Sequence, residues 1–476
     1  MTFFNTEITW FLDVYILLIL GYAILIMSSY LALAYISTKE LRRYLKRNSF
    51  VDYEVLLTSE FAPKLSLIAP AYNEGLTIEE NVKSLLSLNY NNYQVIVVND
   101  GSKDNSMEIL TKTYDLVLTD LEFHPKIETK KIRGIYTSRN AAFKKLIVVD
   151  KENGGKADAL NVGLNIAQNP YVVCIDVDCI LDKDSLLKLA KPFLESYGKR
   201  IIATGGVVRI ANQCIIKNGR LVEVNVPDVM LSRIQVLEYL RAFLLGRMAW
   251  GKLDGLLLIS GAFGAFDKEI AILSGGYSTK TVGEDMELIV RMRRYMLDNK
   301  LPYSVSYIPD PLCWTEAPED FKIFKKQRSR WMRGTIETLS IHRRMFLNPK
   351  YKLLGMLSVP YWTLFEFLAP AIEFIGLIIT AVFIIFGLLN WHFFFLLLLF
   401  VYTFAVLFSV IALYSEEKTY HKYPKQADFF KLLMAAFIEP FYFHPLTVYA
   451  ALVGYKEKIM GTKGWGEMTR KGFTKK

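Results

Sequence analysis

The sequence contains little of what soft-metal sites and disulfide frameworks require. Its 476 residues include only four cysteines and five histidines. The histidines are scattered, and the cysteines stand in apolar or strand-like stretches without paired spacing, at Cys174, Cys179, Cys214 and Cys313. This pattern predicts free thiols in a reducing compartment and gives no indication of a zinc-type ligand set.

Charge and hydropathy are concentrated in blocks. The chain is 52% hydrophobic with a net charge of +10, and its mean hydropathy is +0.23. The lysines and arginines cluster beside the apolar runs, which favours a membrane-flanking role and argues against nucleic-acid binding. Residues 14–36 are long enough for one bilayer crossing. Because five basic residues follow within residues 39–47, the positive-inside rule places the next segment in the cytosol.

A second apolar block begins near residue 353. Residues 362–389 and 393–413 are each long enough to span a bilayer, whereas residues 429–453 contain Pro440 and Pro445 and are interpreted as a bent, re-entrant segment. The predicted organisation has four parts: an N-terminal membrane helix and basic linker (1–50), a cytosolic domain with interfacial helices (51–350), C-terminal membrane helices (351–455) and a basic cytosolic tail (456–476).

Between the apolar blocks, short strands alternate with helical segments. The predicted strands are residues 64–70, 94–99, 145–150, 171–176 and 200–208, and the predicted helices between them are 76–89, 102–113 and 155–168. This alternation predicts an α/β domain with a mostly parallel, Rossmann-like sheet. Residues 114–144 are expected to leave the sheet edge. The amphipathic segments 231–250 and 321–346 either lie along the membrane surface or pack into a core.

Two carboxylates, Asp176 and Asp178, close one predicted strand. Their i, i+2 spacing puts both acids on the same side of an extended backbone, at the carboxyl end where open α/β sheets bind ligands. Paired hard oxygen ligands suit Mg²⁺ or Mn²⁺, and such an ion would clamp a diphosphate. Two acids at a strand end are more often a solvated loop edge, so this prediction depends on the neighbouring motifs.

Polar residues end two other strands. Tyr72 and Glu74 follow the first strand, where a ring can stack on a nucleoside and a carboxylate can accept its hydrogen bonds. Asp100 follows the next strand and is placed like the acid that reads a base or ribose in dinucleotide folds. The alternative for Asp100 is a helix N-cap, although Ser102 or Asp104 fits that duty better.

A glycine-containing loop, Asn153-Gly-Gly-Lys156, follows a further strand and opens a helix. Glycines allow close backbone approach, a helix start presents free N–H groups, and Lys156 adds a positive charge. These features predict a phosphate contact, with an ordinary surface lysine as the alternative. The spacing is that of neither a Walker A loop nor a G-x-G-x-x-G motif, so kinase or dehydrogenase chemistry is not indicated.

Two later helices carry further candidates. Glu284 and Asp285 open a predicted helix over residues 285–297, either as a catalytic acid pair or as an acidic first turn favoured by the helix dipole. Three residues share one helix face through their i, i+3, i+4 spacing, namely Gln327, Arg330 and Trp331. Arginine can fork onto phosphate and tryptophan can stack on a sugar ring. Arg328 and Arg333 are expected to face lipid headgroups or solvent.

In this order, the motifs resemble those of family-2 glycosyltransferases of the processive, membrane-embedded kind, such as the cellulose, chitin, hyaluronan and poly-N-acetylglucosamine synthases. The resemblance covers roughly residues 64–334, and flanking membrane helices belong to the pattern. It rests on six motifs: Pro70-Ala-Tyr-Asn-Glu74, Asn99-Asp-Gly-Ser102, Gly155-Lys156-Ala157, Asp176-Val-Asp178, Gly283-Glu-Asp285 and Gln327-Arg-Ser-Arg-Trp331.

The resemblance implies a Rossmann-like GT-A domain with flanking transmembrane and interfacial helices. In such enzymes, the uridine is held by the residues that match Tyr72, Glu74 and Asp100. The diphosphate and the metal are held by those that match Asp176 and Asp178. Diphosphate or acceptor sugar is bound by the residues that match Gln327, Arg330 and Trp331.

The general base of these enzymes matches Asp285, beside Glu284. The family usually has threonine where this sequence has Gly283, a change that leaves the acidic pair intact. The segment 257–266 resembles the acceptor-contacting segment of the synthases, with candidate contacts at Ser260, Gly261 and Phe263. As plain sequence, the same segment is equally a buried strand with a glycine bend.

The implied function is an inverting, metal-dependent transferase that uses Mg²⁺ or Mn²⁺ and polymerises a UDP-sugar into a β-linked polysaccharide. UDP-N-acetylglucosamine is the expected donor. The expected location is a bacterial-type inner (plasma) membrane, with several crossings and a cytosolic catalytic domain. The expected partners are the growing glycan, the bilayer and an accessory export subunit. Alternatives are single sugar transfer to a polyprenyl-phosphate lipid, and a non-catalytic nucleotide-sugar-binding scaffold or transport subunit.

Overall fold

Strands and helices alternate along the middle of the chain. The computed structural model describes residues 2–195, 198–217 and 219–462, so most of the predicted basic tail lies outside the described residues. The described strands are β1 (Leu65–Ala71), β2 (Tyr93–Asn99), β3 (Leu116–Leu118), β4 (Ile132–Ser138), β5 (Leu146–Lys151), β6 (Tyr171–Ile175), β7 (Ile180–Leu181), β8 (Arg200–Ile210), β9 (Ile215–Lys217), β10 (Arg220–Glu223), β11 (Phe263–Asp267) and β12 (Tyr303–Thr315).

Ten of these strands form one sheet in the order β3-β4-β5-β2-β1-β6-β11-β8-β12-β7. Its centre, β5-β2-β1-β6, is parallel. Because parallel strands are covered on both faces, they read as nearly continuous apolar runs, which is why the sequence indicated them. The prediction of a mostly parallel sheet is wrong at the flanks, where β11 inserts antiparallel between β6 and β8. The predicted excursion at 114–144 supplies β3 and β4, which extend the edge in antiparallel pairing.

The helices begin and end as follows: α1 (Thr2–Asn48), α2 (Tyr53–Thr58), α3 (Ile78–Leu86), α4 (Ser106–Tyr114), α5 (Lys156–Ile166), α6 (Ser185–Leu194), α7 (Met230–Leu240), α8 (Met248–Lys252), α9 (Lys268–Leu273), α10 (Glu284–Asp298), α11 (Phe321–Ile341), α12 (Val359–Trp362), α13 (Ala369–Ile385), α14 (Trp391–Thr419) and α15 (Gln426–Ile459). Wider π-helical turns occupy Arg241–Arg247, Leu354–Ser358 and Thr363–Phe367.

Close packing of α5 on the sheet sets where its first residue lies. A Cβ atom at Gly163 would approach Cγ2 of Ile68 to 2.2 Å, so only glycine lets the helix approach β1 this closely. Ile68 is fully buried in the main core, as are its neighbours Leu65 and Leu67. The helix start at Lys156 is thereby fixed near the carboxyl ends of β1 and β6, at the edge where ligands bind in such sheets.

Among the residues that the structure describes, two helices are long and apolar enough to cross a membrane, Val14–Asn48 and Trp391–Thr419. A further pair, Leu354–Phe367 and Ala369–Ile385, satisfies length and composition only when taken together, and it is bent by 40°. The structure therefore has two helices joined by a bend where one straight span was expected at residues 362–389. Pro370 lies in the first turn of the second helix, where its missing N–H and fixed backbone break the preceding helix.

The predicted break at the two prolines of the last apolar segment is wrong. Gln426–Ile459 is one continuous helix that contains both Pro440 and Pro445. Proline is tolerated inside a helix when packed neighbours hold the surrounding turns. Glu439, beside the first proline, accepts a hydrogen bond of 2.6 Å from Arg241 and one of 3.1 Å from Ser409. The number of membrane crossings and their orientation stay predictions.

Candidate donor and acceptor site

The carboxylate of Asp100 organises the loop that precedes α5. Its side chain is only 3% exposed. Oδ1 accepts hydrogen bonds from the Lys151 ammonium at 2.5 Å and the Gly154 amide at 2.9 Å, and Oδ2 accepts one from the Gly155 amide at 2.7 Å. Since these donors occupy both oxygens, Asp100 acts first as a buried anchor. Direct contact between Asp100 and a uridine stays a prediction.

Lys151 is a residue that the sequence reasoning missed. Its side chain is completely buried, and its ammonium lies 2.5 Å from Asp100 and 2.7 Å from Asp158. Asp158 in turn accepts the backbone N–H of Lys130 at 3.1 Å. A lysine at the last position of a largely apolar strand was the available signal, because a buried charge is retained only when it is paired.

The first loop is joined to the second by hydrogen bonds. The amide of Asn73 donates to Oγ of Ser102 at 2.9 Å, and the amide of Glu74 donates to Oγ of Ser106 at 3.0 Å. Asp104 accepts the N–H of Ser106 at 3.0 Å, at the start of α4. The N-cap predicted at Ser102 or Asp104 is nevertheless wrong, because the N-cap residue of α4 is Asn105. These bonds fix the two strand ends that carry Tyr72 and Asp100.

Tyr72 and Glu74 differ in their availability. The ring of Tyr72 is 45% exposed and can stack on a planar base. One oxygen of the Glu74 carboxylate accepts a hydrogen bond from Oγ1 of Thr77 at 3.3 Å. Both residues lie at the carboxyl end of β1, so their predicted nucleoside contacts remain geometrically reasonable.

Lys156 connects the end of β6 to the start of α10. Its ammonium pairs with the Asp176 carboxylate, and it lies 3.7 Å from Oε1 of Glu284 and 3.4 Å from the carbonyl oxygen of Gly261. Burial disfavours the charged amine, but the two carboxylates outweigh it and raise the pKa of Lys156 above its usual value. Because the Lys156 side chain is only 14% exposed, it is not an ordinary surface lysine.

The carboxylates at the end of β6 fit a hard divalent cation. Ligand atoms of Asp176, Asp178 and Cys179 all lie within 4.8 Å of one another. The Cys179 thiol donates a hydrogen bond to the sulfur of Cys313, and this hydrogen bond together with burial raises the pKa of Cys179 well above its usual value. The thiol therefore stays protonated in the core. Two carboxylate oxygens remain, which is the donor chemistry that Mg²⁺ and Mn²⁺ prefer.

Asp285 lies beside this group at the N-terminus of α10. Its Oδ2 accepts the backbone N–H of Gly261 at 2.8 Å, and its carboxylate is half-buried. The neighbouring Glu284 is 3% exposed. Burial raises the pKa of Glu284 to about 7, against the opposing effect of Lys156. The chain of contacts from Asp176 through Lys156 and Gly261 thus ends on Asp285, which brings the predicted metal ligands and the predicted base together.

Helix α11 presents the three residues predicted to bind diphosphate or acceptor. Within the described ranges, the buried Oε1 atom of Gln327 has no hydrogen-bond partner, so a ligand hydroxyl or amide there would satisfy it. Arg330 is placed among Glu284, Asp176 and Asp285, although burial lowers its pKa. The indole of Trp331 is 42% exposed.

The expectation that Arg328 and Arg333 face lipid or solvent is wrong. Arg328 forms a two-pronged pair with Glu238 of α7, with both distances 2.6 Å. Its guanidinium also stacks over the Trp331 ring at 4.2 Å. Arg333 lies 3.2 Å from Glu457 of α15. The reason is that α11 is packed between neighbouring helices. The alternation of basic and aromatic residues is typical both of such a helix and of a helix on the membrane surface, so the pattern could not distinguish the two.

The segment before β11 contributes backbone rather than the predicted aromatic contact. Gly261 lies at the site, and Ser260 is half-buried in the same turn, with its Oγ 3.4 Å from the Ala262 amide. Phe263 is wrong as an acceptor contact, because its side chain is fully buried. Its ring packs beneath Gly206, where an added Cβ would meet it at 3.5 Å.

The structure explains why glycine stands at position 283. A Cβ atom there would lie 2.7 Å from Cα of Gly334, and one at Gly334 would lie 2.8 Å from Cα of Gly283. The backbone that begins α10 therefore touches the backbone of α11 directly. Val282 strengthens this contact by donating its N–H to Glu337 of α11 at 3.0 Å. The pair fixes Asp285 relative to Arg330 and Trp331.

Comparison with known families agrees with this arrangement. Residues 66–212 match the family described as "Glycosyl transferase family 2", and residues 171–406 match "Glycosyl transferase family group 2". The matched segments run from β1 to α14 and include all six sequence motifs. The chain belongs to the family-2 glycosyltransferases.

Individual relatives refine the comparison. The chain is 29% identical over 278 residues to a poly-beta-1,6-N-acetyl-D-glucosamine synthase of Staphylococcus epidermidis. The aligned region covers 58% of this chain and 55% of the relative. It is 28% identical over 307 residues to the synthase of that name from Staphylococcus aureus strain COL, covering 63% of this chain and 60% of the relative. The similarity therefore extends over little more than half of these relatives.

A solved structure confirms the GT-A fold. The mannosyltransferase PcManGT from Pyrobaculum calidifontis, in complex with GDP-Man and Mn²⁺, matches with a TM-score of 0.50 and 16% sequence identity. The match covers 93% of this chain and 99% of that protein. At this identity, the likeness concerns the fold alone.

Proposed function

We propose that this chain is an inverting, metal-dependent synthase that polymerises UDP-N-acetylglucosamine into a β-linked polysaccharide at a membrane. The observation that carries the proposal is the contact chain Asp176–Lys156–Gly261–Asp285. It joins the candidate metal ligands to a candidate base within one site. The similarity to synthases of poly-beta-1,6-N-acetyl-D-glucosamine supports the choice of sugar and of polymer.

The donor is proposed to bind with its uridine at Tyr72 and its diphosphate above α5. The exposed Tyr72 ring offers a stacking surface, and Asp100 keeps the Gly154–Gly155 backbone in place below the phosphates. A divalent cation held by Asp176 and Asp178 would neutralise charge on the departing diphosphate. Lys156 and Arg330 add fixed positive charges on either side of that diphosphate.

The transfer step is proposed to be a single in-line displacement. Asp285 takes the proton of an acceptor hydroxyl, whose oxygen forms the new bond to the anomeric carbon. The bond between that carbon and the diphosphate oxygen breaks at the same time, and its electron pair leaves with UDP. The hydrogen bond from Gly261 orients the Asp285 carboxylate for this task, so the reacting groups are held in place before the step.

The acceptor end of the glycan is proposed to lie on α11. Gln327 offers a buried oxygen without a partner in the described chain, and Trp331 offers an exposed ring on which a sugar can stack. Retention of the glycan there after each transfer would make synthesis processive. Passage of the polymer across the membrane through the apolar helices belongs to this proposal.

A panel of UDP-sugars tests the proposal. Protein purified in nanodiscs with Mn²⁺ or Mg²⁺ is expected to release UDP from UDP-N-acetylglucosamine and to form a product of high molecular mass. Labelled product that extracts into organic solvent would instead indicate single transfer to a polyprenyl-phosphate lipid. UDP binding without UDP release from any donor would contradict catalysis and indicate a nucleotide-sugar-binding scaffold.

A further inference from the structure

A groove of about 560 Å³ opens between the membrane helices α1 and α14. The two helices are held together where the rings of Tyr30 and Phe408 stack with their centroids 5.2 Å apart. The groove begins at the residue that follows Tyr30. The floor of the groove there is formed by apolar side chains, namely Leu31, Ala34 and Ile411.

The groove changes character along its length. Toward the C-terminal end of α1, its wall is formed by Tyr35, Thr38, Lys39 and Arg42. Their spacing of three to four residues continues the helix face that carries Leu31 and Ala34. The same groove is therefore apolar at one end and cationic at the other, which is the polarity of an amphiphile.

The cations of the groove are available for a ligand. Among the described residues, neither Lys39 nor Arg42 forms an ion pair, whereas the adjacent Arg43 pairs with Glu40 at 3.0 Å. Glu40 also lies 3.3 Å from Lys252, so the nearby carboxylate is already shared by two other cations. Lys39 and Arg42 are both exposed.

The cationic end of the groove lies at the domain side of the membrane helices. In α1, Tyr44 donates a hydrogen bond of 2.5 Å to Asp310 of β12. In α14, Glu416 pairs with the buried Arg209 of β8. Both helices therefore meet the α/β domain with their C-terminal ends. That is the level at which hydrocarbon gives way to headgroups, where tyrosine is enriched and basic side chains meet anionic lipid.

We infer that the groove is a binding site for one anionic phospholipid. An acyl chain lies on Leu31, Ala34 and Ile411, and the phosphate lies between Lys39 and Arg42. A helix of a partner protein fits less well, because an α-helix 10–12 Å across fills roughly 500 Å³ per turn. The groove thus holds about one helical turn, whereas a single lipid chain can extend along it.

Lipid retention tests the headgroup contact. Wild-type protein purified from mixed vesicles of dioleoylphosphatidylglycerol and dioleoylphosphatidylcholine is expected to retain one phosphatidylglycerol, counted by native mass spectrometry. The variant Lys39→Gln/Arg42→Gln is expected to retain roughly 25-fold less, at about fivefold for each cation near the membrane surface. The control Lys46→Gln/Arg47→Gln removes the same charge from exposed positions outside the groove and is expected to retain the lipid.

Equal loss in both double variants, or equal retention of phosphatidylcholine, would overturn the site. Inorganic phosphate at millimolar concentration is expected to leave the lipid bound, since it lacks the chain that the floor holds. Displacement by phosphate alone would reduce the site to a free-anion site and contradict the inference. A co-purifying protein that cross-links to Tyr35 in place of lipid would equally contradict it.

A second variant tests the acyl-chain contact without changing charge. Leu31→Trp fills the groove floor from a side chain that is 46% exposed, and it is expected to abolish lipid retention. Leu25→Trp places the same ring on the same helix, at a position that is 54% exposed and outside the groove. It is expected to behave like the wild type, and loss of lipid in both variants would contradict a chain on Leu31.

Discussion

The two halves of the site are built differently. The proposed donor half consists of Asp100, Lys151, Gly154, Gly155, Lys156 and Asp176, and its charges are held by one another and by backbone amides. The proposed acceptor half consists of Gln327 and Trp331 on α11. It contains a buried oxygen without a partner in the described chain and a ring that is 42% exposed.

We propose that this difference serves different tasks. A diphosphate has the same shape and charge in every cycle, so a rigid set of donors can be complete before it arrives. A growing glycan must slide after each transfer, and such contacts need stacking surfaces and individual hydrogen bonds rather than closed ion pairs. Asp285 lies where the halves meet, since Gly261 links it to Lys156 and Gly283 links its helix to α11.

The largest effect is expected where the halves meet. Asp285→Asn keeps the size of the side chain but removes the base, so turnover should fall by roughly 10²–10⁴-fold. UDP affinity should be unchanged, because the donor half is intact. Initial rates of UDP release, compared with equilibrium UDP binding, check both statements. Full turnover in this variant would remove Asp285 from the base role.

Breaking the donor half should affect folding as well as activity. Lys151→Met leaves Asp100 and Asp158 as buried acids without their shared cation, which is expected to cost about 3–5 kcal/mol of stability. Thermal unfolding in detergent measures the loss. Lys144→Met, on an exposed side chain shortly before the same strand, serves as the control. A Lys151→Met protein as stable as this control would contradict a stabilising role for the Lys151 ion pairs.

The buried carboxyl at the junction predicts a dependence on pH. The folded state raises the pKa of Glu284 to about 7 from a usual value of 4.5. The stabilisation that the protonated carboxyl gives the folded state is therefore complete below pH 4.5 and is lost as pH rises through 7. In chelator, wild type should therefore lose on the order of 3 kcal/mol relative to Glu284→Gln between these pH values. A difference in stability between the two proteins that does not change with pH would contradict the shift.

The smallest effect is expected at the contact between α10 and α11. Gly283→Thr introduces a Cβ atom 2.7 Å from Cα of Gly334, and overpacking of this kind costs about 1–3 kcal/mol. The displaced helices should lower kcat more than they raise the KM for donor. Gly246→Ala is a suitable control, because the nearest atom to its new Cβ is 3.7 Å away. Equal kinetics for Gly283→Thr and wild type would show that the contact is not positioning Asp285.

Much of the α/β domain could be predicted from sequence. The central strands are continuous apolar runs with polar residues at their carboxyl ends. This sequence pattern predicted both the positions of the strands and the edge of the sheet that carries the candidate site. The antiparallel pairing of β4 and β11 could not be predicted in the same way, although a buried strand was one interpretation of residues 257–266. Residues 132–138 are mostly half-buried, and β11 pairs with β6 and β8, which are distant in sequence.

The errors in the site have a common cause. Phe263, Arg328 and Arg333 were interpreted from residue type, yet their roles depend on what packs against them. By residue type alone, Arg328 was interpreted as a surface arginine, whereas in the structure it pairs with Glu238 of α7. Lys151 was overlooked for the same reason, because Asp100 and Asp158 lie 51 and 7 residues away in sequence. The strand position of Lys151 was a local signal, but the identity of its partners was not visible in the sequence.

The donor half is expected to bind UDP without help from the base Asp285. Calorimetric titration of UDP with and without Mn²⁺ is the most direct test of this independence. Wild type and Asp285→Asn are expected to bind UDP with the same affinity, and only when Mn²⁺ is present. Asp178→Ala is expected to lose at least tenfold in this affinity. Equal Mn²⁺-dependent binding by Asp178→Ala, or loss of binding in Asp285→Asn, would contradict the separation of donor binding from proton transfer.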